Sequence, residues 1–195
     1  MFEKLENLKL INSVVVLNDF FLDRIIQIQN LDDLYKQILA KSKLGGSIRG
    51  IPQTDLKGGN ATNVAYALAR LGCPVSLITI ADKTSSQMIR ETFSAFNKVS
   101  LSIIDGKPGR TTSFEFNNAG NVVNMMISDL GDNEDFGPEK LGILEEGMLT
   151  NADAVIVTNW ASNKKGTELY QQGRYSYFYI SDLVVSHASH VKGLY

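Results

Sequence analysis

The residues with the most chemical potential lie at positions 58–72, which read GGNATNVAYALARLG. Two glycines leave the backbone bare, and Asn60, Thr62 and Asn63 stand directly before an apolar pattern with helical spacing. The unpaired N–H groups at the start of such a helix can bind a polar or anionic ligand. The same residues also suit an ordinary turn with a side-chain cap, and residue chemistry by itself favours that simpler interpretation.

The two common phosphate-binding loops are absent from the sequence. No G-x-x-x-x-G-K-[ST] segment occurs, and GGNATN does not match G-x-G-x-x-G. The other glycine-rich stretch, GGSIRG at 45–50, lacks the lysine and hydroxyl that a P-loop needs. The pattern therefore excludes a kinase of the P-loop type.

The elements that must position these residues alternate between strands and helices. Short β-branched runs predict buried strands, and apolar residues at helical spacing predict helices. Such alternation is typical of a doubly wound, mostly parallel sheet. The predicted strands lie at 13–17, 73–80, 101–104, 154–158 and 175–180, and the predicted helices at 31–41, 63–71, 85–96, 139–147 and 163–172.

A β-hairpin interrupts this alternation. Residues 111–117 alternate strictly, residues 118–120 (Asn-Ala-Gly) can turn the chain, and residues 122–127 return. Phe114 and Phe116 share one face of the first strand, which is typical of core or interface residues. With the extended segments at 19–28 and 45–57, the hairpin predicts a small antiparallel flap beside the main sheet.

Composition narrows the class of protein. The 195 residues are 44% hydrophobic and carry a net charge of −2, and no basic run points to nucleic acid. No segment has the length and apolarity of a membrane span, and Cys73 is the only cysteine, so we expect a globular protein of the cytoplasm. His187 and His190 have no acidic or cysteine partner nearby in sequence, and we predict no metal site.

Four stretches together resemble the PfkB/ribokinase family of carbohydrate kinases. GGNATNVAYALARLG followed by CPVSLITIAD is similar to the family's first signature, and VVVLNDFFLDRII to its first strand. RTTSFEF resembles the family's lid strand, and AVIVTNW a strand that ends in a polar sugar contact. The matches follow the family's order over about residues 13–182, although Asn18 and Ala81 stand where the family generally has glycine.

The resemblance implies a ribokinase-like doubly wound α/β fold as one domain over 1–195, with lid segments at about 19–28, 45–57 and 111–127. It further implies ATP-dependent phosphorylation of a sugar or nucleoside hydroxyl, with ATP and Mg²⁺ as cofactors and a homodimer formed through the lid. The residues that it places around the acceptor are Asp23, Gly58, Gly59, Asn60, Asn63 and Asn159.

Each of these residues also has a simpler explanation. Asp23 suits an edge-strand charge, Asn63 the start of a helix, and Asn159 a turn at the end of a strand. Taken singly, the simpler explanations are favoured. Taken in the family's order, the matches favour a binding site, in which sugar hydroxyls would meet a charged acceptor, amides and bare backbone.

One part of the family pattern has no counterpart here. The D-T-x-G-A-G-D-like segment, which in the family supplies the general base and anion-holding N–H groups, is not found. We therefore expect a domain truncated on its carboxyl-terminal side, with no catalytic residue in the chain. The alternatives are a truncated, non-catalytic homologue that acts as a ligand-binding or assembly module, and an unrelated α/β nucleotide-binding domain, which the hairpin disfavours.

Overall fold

A computed structural model describes residues 13–172 and 178–181. The predicted strand at 175–180 is described from Phe178 onward, as a strand over Phe178–Ser181. His187 and His190 lie outside the described residues.

The larger layer is a five-stranded sheet in the order β5-β4-β1-β8-β9, in which every described pairing is parallel. All five residues of the central strand β1 are buried, as its run of β-branched residues predicts. The prediction of a parallel sheet is confirmed. The strands of this sheet are β1 (Val14–Asn18), β4 (Val75–Ala81), β5 (Val99–Asp105), β8 (Ala154–Thr158) and β9 (Phe178–Ser181).

Helices cover both faces of this sheet, so it is doubly wound. Helices α2 (Asn60–Arg70) and α3 (Lys83–Phe93) pack through Ala65 and Ile89 on one face, beside Val16 and Leu77. On the other face, α4 (Ile143–Thr150) and α5 (Gly166–Gln172) share a second core with Val15. We call this sheet with its four helices the platform.

The smaller layer is a four-stranded sheet in the order β3-β2-β6-β7, which we call the lid. The outer pairs β2–β3 and β6–β7 are antiparallel, but the central pair β2–β6 is parallel, so the lid is mixed rather than purely antiparallel. Its strands are β2 (Phe21–Ile28), β3 (Gln53–Gly58), β6 (Gly109–Asn118) and β7 (Asn121–Asp129).

Between β2 and β3 the chain forms α1 (Leu31–Lys41), which begins after the cap Asn30 as its apolar spacing predicts. No residue of α1 is buried, and its apolar side chains remain largely exposed. Strand β3 occupies only the last part of the predicted segment 45–57. The lid thus carries a helix that contributes no buried side chain.

All the helices except α1 differ from their predicted bounds, and α3 (Lys83–Phe93) and α5 (Gly166–Gln172) are each displaced by two or three residues at one end or both. Helix α2 begins at Asn60, three residues before the predicted start, because its cap is supplied by a residue distant in sequence, described below. Helix α4 begins at Ile143 rather than near residue 139. Pro138 instead starts a short 3-10 turn, and Gly142 precedes α4 with the Glu145 side chain accepting a hydrogen bond from its N–H group.

Candidate functional site

Two of the polar residues singled out in the sequence, Asn60 and Asn159, meet Asp19 where the lid joins the platform. Asp19 follows β1, Asn159 follows the neighbouring strand β8, and Asn60 is the first residue of α2. Parallel strands bring their carboxyl ends to one edge of a sheet, which is where open α/β sheets bind ligands. The topology therefore places a candidate site at this edge.

Asp19 is the hub of the site and is fully buried. Its Oδ2 accepts hydrogen bonds from the backbone N–H of Asn60 at 2.6 Å and from Nδ2 of Asn159 at 2.6 Å. Its Oδ1 accepts from the backbone N–H of Ala61 at 3.0 Å and from the hydroxyl of Thr158. One carboxylate thus caps α2 and ties that helix to the end of β8.

Burial raises the pKa of the Asp19 carboxyl. Hydrogen bonds from Thr158, Ala61 and Asn60 oppose this effect, because each donor favours the charged form. The start of α2 also presents the positive end of the helix dipole to the carboxylate. Burying the charged form of this carboxyl costs desolvation free energy, and the hydrogen-bond donors offset part of that cost.

Asn60 and Asn159 contact each other as well as Asp19. Nδ2 of Asn60 donates to Oδ1 of Asn159 at 2.7 Å. Asn159 adopts the left-handed backbone conformation, with φ of 51°, which asparagine tolerates better than most residues. The predicted strand-end turn is therefore present, and its side chain also joins the polar cluster.

Three threonine hydroxyls fix the backbone at the end of β1. Each hydroxyl lies within hydrogen-bond distance of a main-chain carbonyl oxygen in a buried position. Thr79 donates to Asn18 at 3.0 Å and Thr62 to Asp19 at 3.1 Å, while the Thr158 hydroxyl, which also contacts Oδ1 of Asp19, lies 3.1 Å from the carbonyl oxygen of Leu17.

The two glycines before α2 allow close approach in different directions. A Cβ at Gly59 would lie 2.6 Å from the carbonyl oxygen of Asp19 and 2.8 Å from Cα of Phe20, and φ of Gly59 is +98°. A Cβ at Gly58 would instead overlap the carboxylate of Asp23. Gly59 is required by the backbone itself, whereas Gly58 leaves room for a side chain.

Asp23 lies on β2 of the lid, half-buried beside Gly58. Burial raises the pKa of this carboxyl, and the nearby charge of Asp19 raises it further, while a hydrogen bond with Thr111 acts in the opposite direction. Asp23 is paired in register with Leu56 and Thr111 on its two neighbouring strands, so it is not on an edge strand. The simple explanation of an edge-strand charge is wrong.

Asn63 is the site residue that the structure does not bring into this cluster. Its backbone N–H donates to the carbonyl oxygen of Gly59 at 3.0 Å, inside the first turn of α2. Its side chain is exposed, and it is not among the described residues that contact Asp19.

Sequence reasoning missed Asp19 and Thr158. Asp19 was assigned to an extended lid segment, whereas β2 begins two residues later at Phe21. The signal that could have identified Asp19 is its position directly after β1, a strand made almost entirely of apolar residues. Open α/β sheets bind ligands at the carboxyl ends of such strands. Thr158 has the same position at the end of β8.

Comparisons with solved structures agree with this architecture. Ribokinase from Thermotoga maritima superposes with a TM-score of 0.58 at 18% identity, covering 88% of this chain and 52% of that one. Fructokinase from Xylella fastidiosa gives 0.58 at 15% identity, with coverage of 83% and 47%. Arabidopsis thaliana ribokinase complexed with ribose and ATP gives 0.56 at 18% identity, with coverage of 77% and 46%.

No protein-family model matches the chain, and no curated protein matches it. The chain spans about half the length of the solved structures just described. At identities this low, the likeness concerns the arrangement of the backbone. The chain therefore has the ribokinase-like fold, a doubly wound α/β platform with a β lid.

Proposed function

We propose that this chain binds the hydroxyl-bearing acceptor of a kinase reaction, a sugar or a nucleoside, at the seam between platform and lid. The observation that carries the proposal is that Asp23 and Gly58, on the lid strands β2 and β3, lie beside the Asp19–Asn60–Asn159 cluster at the carboxyl ends of β1 and β8. Sugar hydroxyls need paired donors and acceptors in a shielded place, and this seam supplies both.

Each predicted site residue has a distinct role in this proposal. Asp23 accepts hydrogen bonds from acceptor hydroxyls, and Gly58 keeps its carboxylate in place by having no Cβ. Asn60 and Asn159 present amide groups, and Gly59 lets the backbone approach closely. Asn63 is an additional polar contact from the exposed first turn of α2.

The reaction that we propose is transfer of a phosphoryl group from ATP to the bound hydroxyl, with Mg²⁺ as the metal ion. The support is the fold, which the sugar kinases above share, and the ATP in the Arabidopsis ribokinase complex. Within residues 13–172 and 178–181, no group of three or more His, Cys, Asp or Glu side chains is arranged to hold a metal. The proposal assigns no residue of this chain to Mg²⁺, to the nucleotide or to catalysis.

Isothermal titration of a panel of ribose, fructose and adenosine tests acceptor binding. We expect at least one compound to bind, and Asp23→Ala to weaken that binding by about tenfold or more, since a charged hydrogen bond is lost. Gly58→Ala should weaken it similarly by displacing the Asp23 carboxylate. Asp55→Ala is the matched control, because Asp55 is an exposed lid aspartate that pairs with Arg24 at 2.6 Å.

Absence of binding across the panel, or equal loss in the Asp55→Ala control, would contradict the proposed site. ATP consumption that depends on the bound compound then tests phosphoryl transfer separately. Binding without turnover would favour the second candidate, a non-catalytic ligand-binding or assembly module.

One observation favours assembly through the lid. Strand β7 is an edge strand, and Val122, Met125, Met126 and Ile127 on it are each more than half exposed. An exposed apolar edge strand is a common surface for association, so we include a homodimer through the lid in the proposal. Sedimentation of the wild type and of Ile127→Lys tests it, with a dimer expected only for the wild type.

A cytoplasmic location remains part of the same proposal. The described helices include none with the length and hydrophobicity of a membrane span.

A further inference from the structure

Groups from four other residues contact the Asp19 carboxyl: the backbone N–H of Asn60 and of Ala61, the side-chain amide of Asn159, and the hydroxyl of Thr158. Each of the two carboxyl oxygens accepts from at least one N–H donor, whereas an asparagine in the same place has only one acceptor oxygen. The surroundings of Asp19 are therefore specific for a side chain with two acceptor oxygens.

These surroundings fix the orientation of the next residue. Because a carboxylate oxygen only accepts, Asn159 must turn its NH₂ group toward Asp19, at 2.6 Å. Its carbonyl oxygen then faces the opposite way and accepts from Nδ2 of Asn60 at 2.7 Å. The direction of both hydrogen bonds follows from the role of Asp19 Oδ2 as an acceptor, which the backbone N–H of Asn60 also requires.

We propose that Asp19 is a positioning residue of the acceptor site, which sets the amide orientation of Asn159 and, through Asn159, that of Asn60. It joins the ends of β1 and β8 and the start of α2 into one polar unit. The ligand-binding part of this role rests on the proposed function, whereas the orientation of the two amides is a property of the unliganded chain.

The competing explanation is that Asp19 merely caps α2. Asp82 offers a matched comparison, because it caps α3 by accepting the backbone N–H of Ser85 at 2.8 Å. Replacing either aspartate by alanine weakens a helix cap. Only Asp19→Ala also removes the acceptor that orients Asn159.

The first test is an NMR measurement without ligand. In ¹H–¹⁵N spectra of the wild type, the side-chain NH₂ signals of Asn60 and Asn159, identified by their loss in Asn60→Ala and Asn159→Ala, should be displaced from random-coil positions. Asp19→Ala should return both pairs toward those positions, and Asp82→Ala should leave them unchanged. Unchanged signals in Asp19→Ala would overturn the proposal, as would equal changes in both aspartate variants.

A second variant covers the outcome in which Asp19→Ala does not fold. Asn159→Ala removes the side chain that links Asp19 to the amide of Asn60. It leaves the hydrogen bonds that the backbone N–H groups of Asn60 and Ala61 donate to Asp19. The side-chain signals of Asn60 should then move while its backbone amide signal and that of Ala61 stay in place. If the side-chain signal of Asn60 does not change in Asn159→Ala, the proposal that Asp19 orients Asn60 through Asn159 is refuted.

The last arm uses whichever of ribose, fructose or adenosine the wild type binds. Asp19→Ala and Asn159→Ala should each weaken the affinity by about tenfold, as expected for loss of one oriented polar contact. The double variant should bind no worse than the weaker single variant, since both act through the same amide. Additive losses would contradict positioning through Asn159. If no compound binds, the acceptor proposal fails and the NMR result still decides the orientation of the amides.

Discussion

The platform and the lid are built from similar numbers of strands but stabilised in different ways. In the platform, every residue of β1 is buried, and helices pack on both faces of the sheet. In the lid, no residue of β7 is buried, and neither is any residue of α1. The lid is therefore stabilised largely by its backbone hydrogen bonds, and the platform by buried side chains in addition.

The candidate site lies where the well-packed platform meets the less buried lid. Asp19, Asn60 and Asn159 belong to the buried edge of the platform, whereas Asp23 belongs to the lid. A site of this kind combines fixed polar groups with one that can move together with a less buried sheet. The three experiments below test this division between a rigid platform and a loosely packed lid.

The largest effect is expected from alanine at Gly59. The new Cβ would meet the main chain of Asp19 and Phe20, and the positive φ adds strain, so we expect a loss of about 3–5 kcal/mol in the free energy of unfolding. Gly120 in the lid hairpin has a φ of +85° but nothing within 4 Å of its would-be Cβ. Gly120→Ala should cost only about 1 kcal/mol.

Urea unfolding followed by circular dichroism measures both changes. Similar losses for the two glycine variants would show that strain rather than contact decides the effect, and that the platform edge is less rigid than we infer.

An intermediate effect is expected from helix side chains. Ile89 of α3 is fully buried, and Ile89→Ala should lower the free energy of unfolding by about 3 kcal/mol through a cavity. Leu39 of α1 is 52% exposed, and Leu39→Ala should change it by less than about 0.5 kcal/mol. Thermal unfolding at two protein concentrations checks the pair. A large, concentration-dependent loss for Leu39→Ala would mean that α1 is covered by a second copy in solution.

The smallest effect concerns pH. Burial raises the pKa of Asp23 above 3.8, so the folded state holds this proton more tightly than the unfolded state. The resulting stabilisation is complete below pH 3.8 and disappears as the pH rises through the raised pKa. The stability of the wild type relative to Asp23→Asn should therefore fall with rising pH.

Asp55 on the neighbouring lid strand supplies the opposite case. A hydrogen bond from Arg24 lowers the pKa of the Asp55 carboxyl, so its contribution is present above pH 3.8 and is lost as the pH falls. Relative to Asp55→Asn, the wild type should gain stability as the pH rises. Urea unfolding between pH 3 and 7 compares the two variants, and slopes of the same sign would contradict the assigned environments.

Much of the secondary structure is predictable because its signals are local. The run at 154–158 coincides with β8, and the predicted helix at 31–41 coincides with α1, since β-branched runs and apolar spacing act within a few residues. The start of α2 was predicted three residues late, because its cap is Asp19, 41 positions away. Local capping rules do not detect such a partner.

The lid shows a similar limit. The hairpin of β6 and β7 follows from its alternation and its Ala119-Gly120 turn, where both residues have positive φ. The parallel pairing of β2 with β6 is not visible in either segment, because edge-to-edge partners are selected by the rest of the fold. For the same reason, the sequence predicts Asp23 as a site residue but not Asp19, whose carboxylate contacts the amide of Asn159.

That parallel pair has a consequence for the order in which the chain folds. Phe21 pairs with Gly109, and the segment between them contains three helices and strands of both layers. Bringing two such distant segments together costs loop-closure entropy, which falls once β1, α2, β4, α3 and β5 have compacted that loop. The centre of the lid should therefore form late, after the platform has formed. The candidate site, which needs both layers, would then be among the last parts of the molecule to be completed.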